Sequence, residues 1–104
     1  MQKSDLNYRD NFGNTKLMLC KTLAEIKEIL EFDASRINDI NIYSETVLML
    51  ALKENKNIEI IEHLIQAGAN VNACTKTGFN VLDYCQNDKQ KRLIVYCGFK
   101  LKFF

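Results

Sequence analysis

The sequence repeats itself, and a repeat of this length leaves few folds open. Leu17, Leu48 and Leu82 hold one equivalent position, 31 and 34 residues apart, and Gly13, Ser44 and Gly78 follow the same offsets. A second series, Leu6, Ile37, Val71 and Leu101, has separations of 31, 34 and 30 residues, and three of its members precede an asparagine, at Asn7, Asn38 and Asn72. In its fullest copy the unit opens at Ser44-Glu45-Thr46-Val47-Leu48, runs through Ile60-Ile61-Glu62-His63-Leu64-Ile65 and closes on Ala67-Gly68-Ala69-Asn70-Val71-Asn72. That order reads as turn, short helix, longer helix, glycine stop and extended segment.

The helices follow from the residues alone. Ile60, Ile61, Leu64 and Ile65 recur with a helical period while Glu59, Glu62 and Gln66 take the other face, which makes one side core. Ile26, Ile29 and Leu30 repeat the pattern against Glu25, Lys27 and Glu28. Gly68 and Gly98 stand where a left-handed C-cap belongs, and Thr15, Thr46 and Asn80 can accept bonds from unpaired N–H groups at helix starts. A single unit cannot bury its own apolar stripe, so the units must stack.

These residues resemble the ankyrin repeat, whose period is about 33 residues. Gly68-Ala69-Asn70-Val71-Asn72-Ala73 stands for the family's Gly-Ala-Asp-Val-Asn-Ala. Thr15-Lys16-Leu17-Met18, Thr46-Val47-Leu48-Met49 and Asn80-Val81-Leu82-Asp83 stand for its Thr-Pro-Leu-His, with Pro and His missing throughout. The resemblance implies an all-α fold, an ankyrin-repeat solenoid of stacked helix-turn-helix units with β-turn fingers. It occupies a single domain over residues 1–104, with repeats at approximately 10–40, 41–74 and 75–104. The shorter first spacing places a deletion between Cys20 and Ile26, in the first helix or the turn after it. Repeat three is shorter again, since 16 residues separate Leu82 from Gly98 against 20 between Leu48 and Gly68.

Composition narrows the function. Apolar residues make up 47% and charged residues 26%, too apolar for a disordered chain, and 104 residues suffice for one core without metal or disulfide. A formal charge of +1 gives no field to steer the chain toward nucleic acid or an anionic membrane, and the basic C-terminal stretch Lys89, Lys91, Arg92, Lys100 and Lys102 reads as a solvated face. Met1-Gln2-Lys3-Ser4-Asp5 lacks the apolar core of a signal peptide and no apolar run is long enough for a bilayer, so a cytoplasmic location is expected. The bias toward Lys, Asn and Ile fits an AT-rich genome such as that of some bacteria or large viruses.

No enzyme is expected. His63 is the sole histidine, and no Ser/His/Asp order, phosphate loop or HExxH is present. No cofactor or metal is implied, because Cys20, Cys74, Cys85 and Cys97 lack zinc spacing. Cys20 and Cys85 fall where the middle repeat has Ala51 and should be buried apolar fillers, whereas Cys74 should be accessible. All four should be reduced thiols.

The resemblance implies a protein–protein interaction module, adaptor or inhibitor, that binds its partner through the concave face of finger tips and first helices. Carried over by position, the tips are Asn11, Phe12 and Asn14, then Ile42, Tyr43 and Glu45, then Lys76, Thr77 and Phe79, with Lys53 and Glu54 as a polar rim. Each tip carries an aromatic, the residue type favoured as an interface anchor. The alternative is an assembly subunit that associates with a partner or itself through uncapped apolar ends, at Asp5-Leu6-Asn7 and at Phe99, Leu101, Phe103 and Phe104.

Overall fold

The computed structural model describes residues 7–98; Asp5, Leu6 and the tail residues Phe99, Leu101, Phe103 and Phe104, with Lys100 and Lys102, lie outside the described residues. Among these residues the chain forms four α-helices and two 3-10 helices, with no strand beyond two isolated bridges, Arg9 with Thr15 and Cys74 with Asn80. In chain order they are η1 (Leu17–Leu19), α1 (Leu23–Phe32), α2 (Val47–Lys53), α3 (Ile58–Gln66), η2 (Val81–Tyr84) and α4 (Asp88–Tyr96). Each unit thus pairs a short inner helix with a longer outer one.

Side chains begin these helices where their N–H groups have no helical partner. Thr22, Asn57 and Asn87 cap the three outer helices by accepting from Glu25, Ile60 and Gln90. Thr46 caps α2 by accepting from Met49 N at 3.3 Å, and Thr15 Oγ1 accepts from Met18 N at the same distance. Asn80 and Asp83 exchange bonds in a capping box. Gly68 and Gly98 adopt positive φ and end α3 and α4. Asn55, also with positive φ, ends α2, and Lys56 N reaches back to Ala51 O.

The two flanking units depart from the middle one. Their inner helices are 3-10 turns of three and four residues against seven in α2. The cause is length: the chain turns extended at Cys20 and Cys85, immediately before the outer helix must start, and so short a run favours the tighter helix. The deletion between Cys20 and Ile26 therefore falls largely on the inner helix.

The core lies along the inner row. Leu48, Met49 and Leu52 of α2 are fully buried between η1 and η2, with Ile61 and Leu64 of α3 behind them. Leu17 and Met18 close one side and Val81 and Ile94 the other, while Ile37 and Val71 plug the extended segments. Leu82 is only half-buried, unlike Leu17 and Leu48, because it lies at the edge of the row.

The recurring asparagines join one unit to the next. Asn38 Nδ2 donates to Gly68 O at 3.1 Å while Asn38 Oδ1 accepts from Asn70 N at 2.7 Å, and Asn72 Nδ2 donates to Gly98 O at 3.3 Å. Asn7 Oδ1 accepts from Arg36, which has no glycine-capped counterpart to bind. Replacing Asn38 with Ala removes two bonds across a unit boundary and should cost about 1–2 kcal/mol. Thermal unfolding should show a fall of several degrees, and an unchanged midpoint would contradict the coupling.

The hairpin turns before each inner helix share one backbone. Gly13, Ser44 and Gly78 close them with φ of 76°, 63° and 91°. Gly13 has a second reason to lack a side chain, since a Cβ there would stand 3.1 Å from Ile42 N. Ser44 holds this left-handed conformation with a Cβ, a cost that its two counterparts avoid. Ser44→Gly should therefore stabilise the protein by about 0.5–1 kcal/mol, read as a higher thermal midpoint.

Candidate interaction surface

The three turns are rigid because polar side chains template their backbones. Asp10 Oδ1 accepts from Phe12 N and Asn14 N, and Asn41 Oδ1 accepts from Tyr43 N and Glu45 N, at 2.9 to 3.0 Å throughout. Thr75 Oγ1 accepts from Phe79 N at 3.1 Å in the third turn. Burial pushes the Asp10 carboxyl up, but the bonds from Asn14 and Phe12 outweigh it and hold its pKa below the ordinary value. Adjacent turns one and two are also tied together, by Ile42 N donating to Phe12 O at 2.9 Å and Asn41 Nδ2 donating to Asn14 Oδ1 at 3.0 Å.

This backbone holds aromatic rings in solvent. Phe12, Tyr43 and Phe79 are 53%, 57% and 55% exposed. Phe12 and Tyr43 stack on each other, with ring centroids 6.4 Å apart and planes inclined at 26°. Below them a groove of about 310 Å³ is lined by Phe12, Asn14, Tyr43, Glu45, Lys53 and Glu54 from the sequence reading. A second recess of about 280 Å³, lined by Phe79, Asp83, Tyr84 and Gln86, shares Glu45 and Lys53 as its wall.

Glu45 differs from the exposed tip expected of it, for it is only 7% exposed. Its Oε1 accepts from Asn41 Nδ2 at 3.1 Å, its Oε2 accepts from Tyr84 OH at 2.9 Å, and Lys53 Nζ lies 3.8 Å from Oε2. The carboxylate is a strut between the second and third units. Burial, with the Glu45 bond next, pushes the Tyr84 phenol up to about 12. Asn11, Ile42, Lys76 and Thr77 are exposed on the turns and line neither recess.

Residues that the sequence did not mark for the surface complete the wall: Met18, Leu19, Lys21, Asn41 and Leu50 in the first recess, Asp83, Tyr84 and Gln86 in the second. Leu19, Leu50 and Tyr84 share one register, two residues after Leu17, Leu48 and Leu82. That series was present in the sequence and would have marked the groove side of the inner helices.

Comparison with known families finds that residues 43–76 match the family model of the ankyrin repeat. The match covers the second turn, α2, α3 and the start of the third turn, the copy with the fullest inner helix. The ankyrin repeat is in general a non-catalytic protein–protein interaction module. No curated protein matches the chain.

The remaining candidates for chemistry are held in other ways. His63 is half-buried within α3. No helix among the described residues is long and apolar enough to cross a membrane. Cys20 is buried, and burial, with the Glu25 charge next, pushes its thiol up to about 11. Cys85 is half-buried rather than buried, since it shares the edge position of Leu82, and burial raises its pKa against the opposing charge of Lys91. Cys74 is exposed. All four are free thiols in this structure. Alkylation of the native protein near pH 8 should label Cys74 first and Cys20 last, with Cys20 accelerating as pH rises toward about 11. Cys20 labelling as fast as Cys74 would show that the inner row does not cover it.

Proposed function

We propose that this ankyrin-repeat protein is a short solenoid that performs no catalysis and recognises a specific protein partner through its concave face, acting as an adaptor or as an inhibitor that occupies its target. The carrying observation is the set of three aromatic rings, each more than half exposed, on turns whose backbones are fixed by side-chain bonds. Large rings carried on a fixed backbone lose little entropy on binding and bury much area, which is what an interface anchor requires.

Phe12, Tyr43 and Phe79 are the proposed anchors, with Asn14, Lys53 and Glu54 as the polar groups around them and Asn11, Ile42, Lys76 and Thr77 contacting at the tips. Glu45 serves by holding Tyr84 and Lys53 in the wall between the two recesses. The near-neutral charge supports a protein as the ligand, in the cytoplasm, in preference to nucleic acid or a membrane surface.

Affinity capture from the native host followed by alanine replacement tests the reading. Phe12→Ala, Tyr43→Ala and Phe79→Ala should each cost about 2 kcal/mol, or roughly thirtyfold in affinity, with the helical spectrum retained. A triple variant that stays folded and binds within a fewfold of the parent would place recognition away from this face.

A further inference from the structure

The outer helices at the two ends carry opposite charge at positions that are buried in the other units. Aligned on their N-caps Thr22, Asn57 and Asn87, the outer helices place Glu25 at the position of Ile60 and Gln90, and Lys91 at the position of Ile26 and Ile61. Ile60 and Gln90 are buried, and Glu25 is exposed. Ile26 and Ile61 are buried, and Lys91 is exposed. The inner row does not add to this charge difference: Lys16 is exposed where Val47 and Val81 are buried, and Leu82 is half-buried where Leu17 and Leu48 are buried.

Each end is therefore a distinct surface. At the N-terminal end Glu25 and Glu28 line a recess of about 380 Å³ with Tyr8, Lys16, Leu19 and Ile29, and Lys16 is drawn over the Tyr8 ring at 5.0 Å. At the other end Lys91 and Val95, the latter 55% exposed, stand one turn apart on α4, and Leu82 of η2 is half-buried. Leu6 and the tail residues Phe99, Leu101, Phe103 and Phe104, which carry the apolar-ends reading, lie outside the described residues, and the described ones add charge to both ends. The faces are complementary at their outer helices, with Glu25 and Glu28 beside a recess that also holds Lys16 at one end, and Lys91 on the helix that carries the exposed Val95 at the other.

We propose that copies of this chain associate head to tail, the Leu82, Lys91 and Val95 face of one seated on the Glu25 and Glu28 face of the next. The contact continues the pattern of burial inside the molecule, since the Ile61 position is buried where a unit follows it and exposed at Lys91, and the Ile60 position is buried where a unit precedes it and exposed at Glu25. Lys91 of one copy then meets Glu25 of the next, and Val95 and Leu82 cover the recess. Such a contact joins two different surfaces, so it builds open chains rather than a closed dimer. It leaves the concave aromatics free, although Leu19 lines both the end recess and the concave groove.

Light scattering of the full chain over a concentration series tests this. At an ionic strength of about 0.01 M, where the screening length is about 30 Å, the apparent mass should rise with concentration; near 1 M salt it should return toward the monomer. The E25K/E28K variant and the K91E/R92E variant, all at exposed positions, should each associate about tenfold or more weakly, since reversal turns attraction into repulsion. Mixed in equal amounts, the two variants should associate again. A wild-type protein that stays monomeric throughout the series at low salt would overturn the proposal and leave these charges as solubility caps. So would association that persists unchanged in both separate variants. Because the concave aromatics are untouched, binding of a captured partner by either variant would bear on the preceding proposal alone.

Discussion

Everything else in the structure depends on α2 being covered from both sides. Its Leu48, Met49 and Leu52 have no exposure, and the residues that cover them come from η1, η2 and the outer helices. A seven-residue helix is far too short to persist alone in water. Its stability is borrowed from its neighbours, and theirs from it. This explains how the flanking units tolerate inner helices of a single 3-10 turn: they need only present Leu17, Met18 and Val81 to α2.

The turns follow a different logic. They contain little apolar material to bury, so their shape is set by local polar bonds: one acceptor side chain, Asp10, Asn41 or Thr75, closes each turn onto its own backbone. Because the backbone is satisfied internally, the aromatic carried by each turn is released from any packing duty. The same economy appears in the wall of the groove, where Glu45 is buried only because Asn41, Tyr84 and Lys53 all meet it.

Much of this was legible in the sequence because repetition is a global signal. Two residue series with common offsets located the units, and the caps Thr46, Asn80, Gly68 and Gly98 act where their chemistry predicts. Position along the stack was not legible. Cys20 and Cys85 share a register yet differ in burial, Cys20 being buried and Cys85 half-buried at the edge of the row. Glu45 read as an exposed tip because its partner Tyr84 is 39 residues away, and no local pattern announces such a bond. The aromatic stacking of Phe12 on Tyr43 was likewise hidden, although both rings were marked by their places in the turns.

The shortened inner helices bear on how an array of this kind can change length. In the flanking units the outer helix begins six residues after the repeat leucine, against ten in the middle unit, a difference of four. Four residues is close to one turn of an α-helix, and they are taken from the far end of the inner helix, leaving its cap and its leucine in place. The inner and outer helices are joined by non-helical residues, 20–22 in the first unit and 54–57 in the second, so shortening the inner helix does not rotate the Ile26 and Ile29 stripe away from α3. The depth of the groove floor can then vary from unit to unit while the spacing of the turns above it stays fixed.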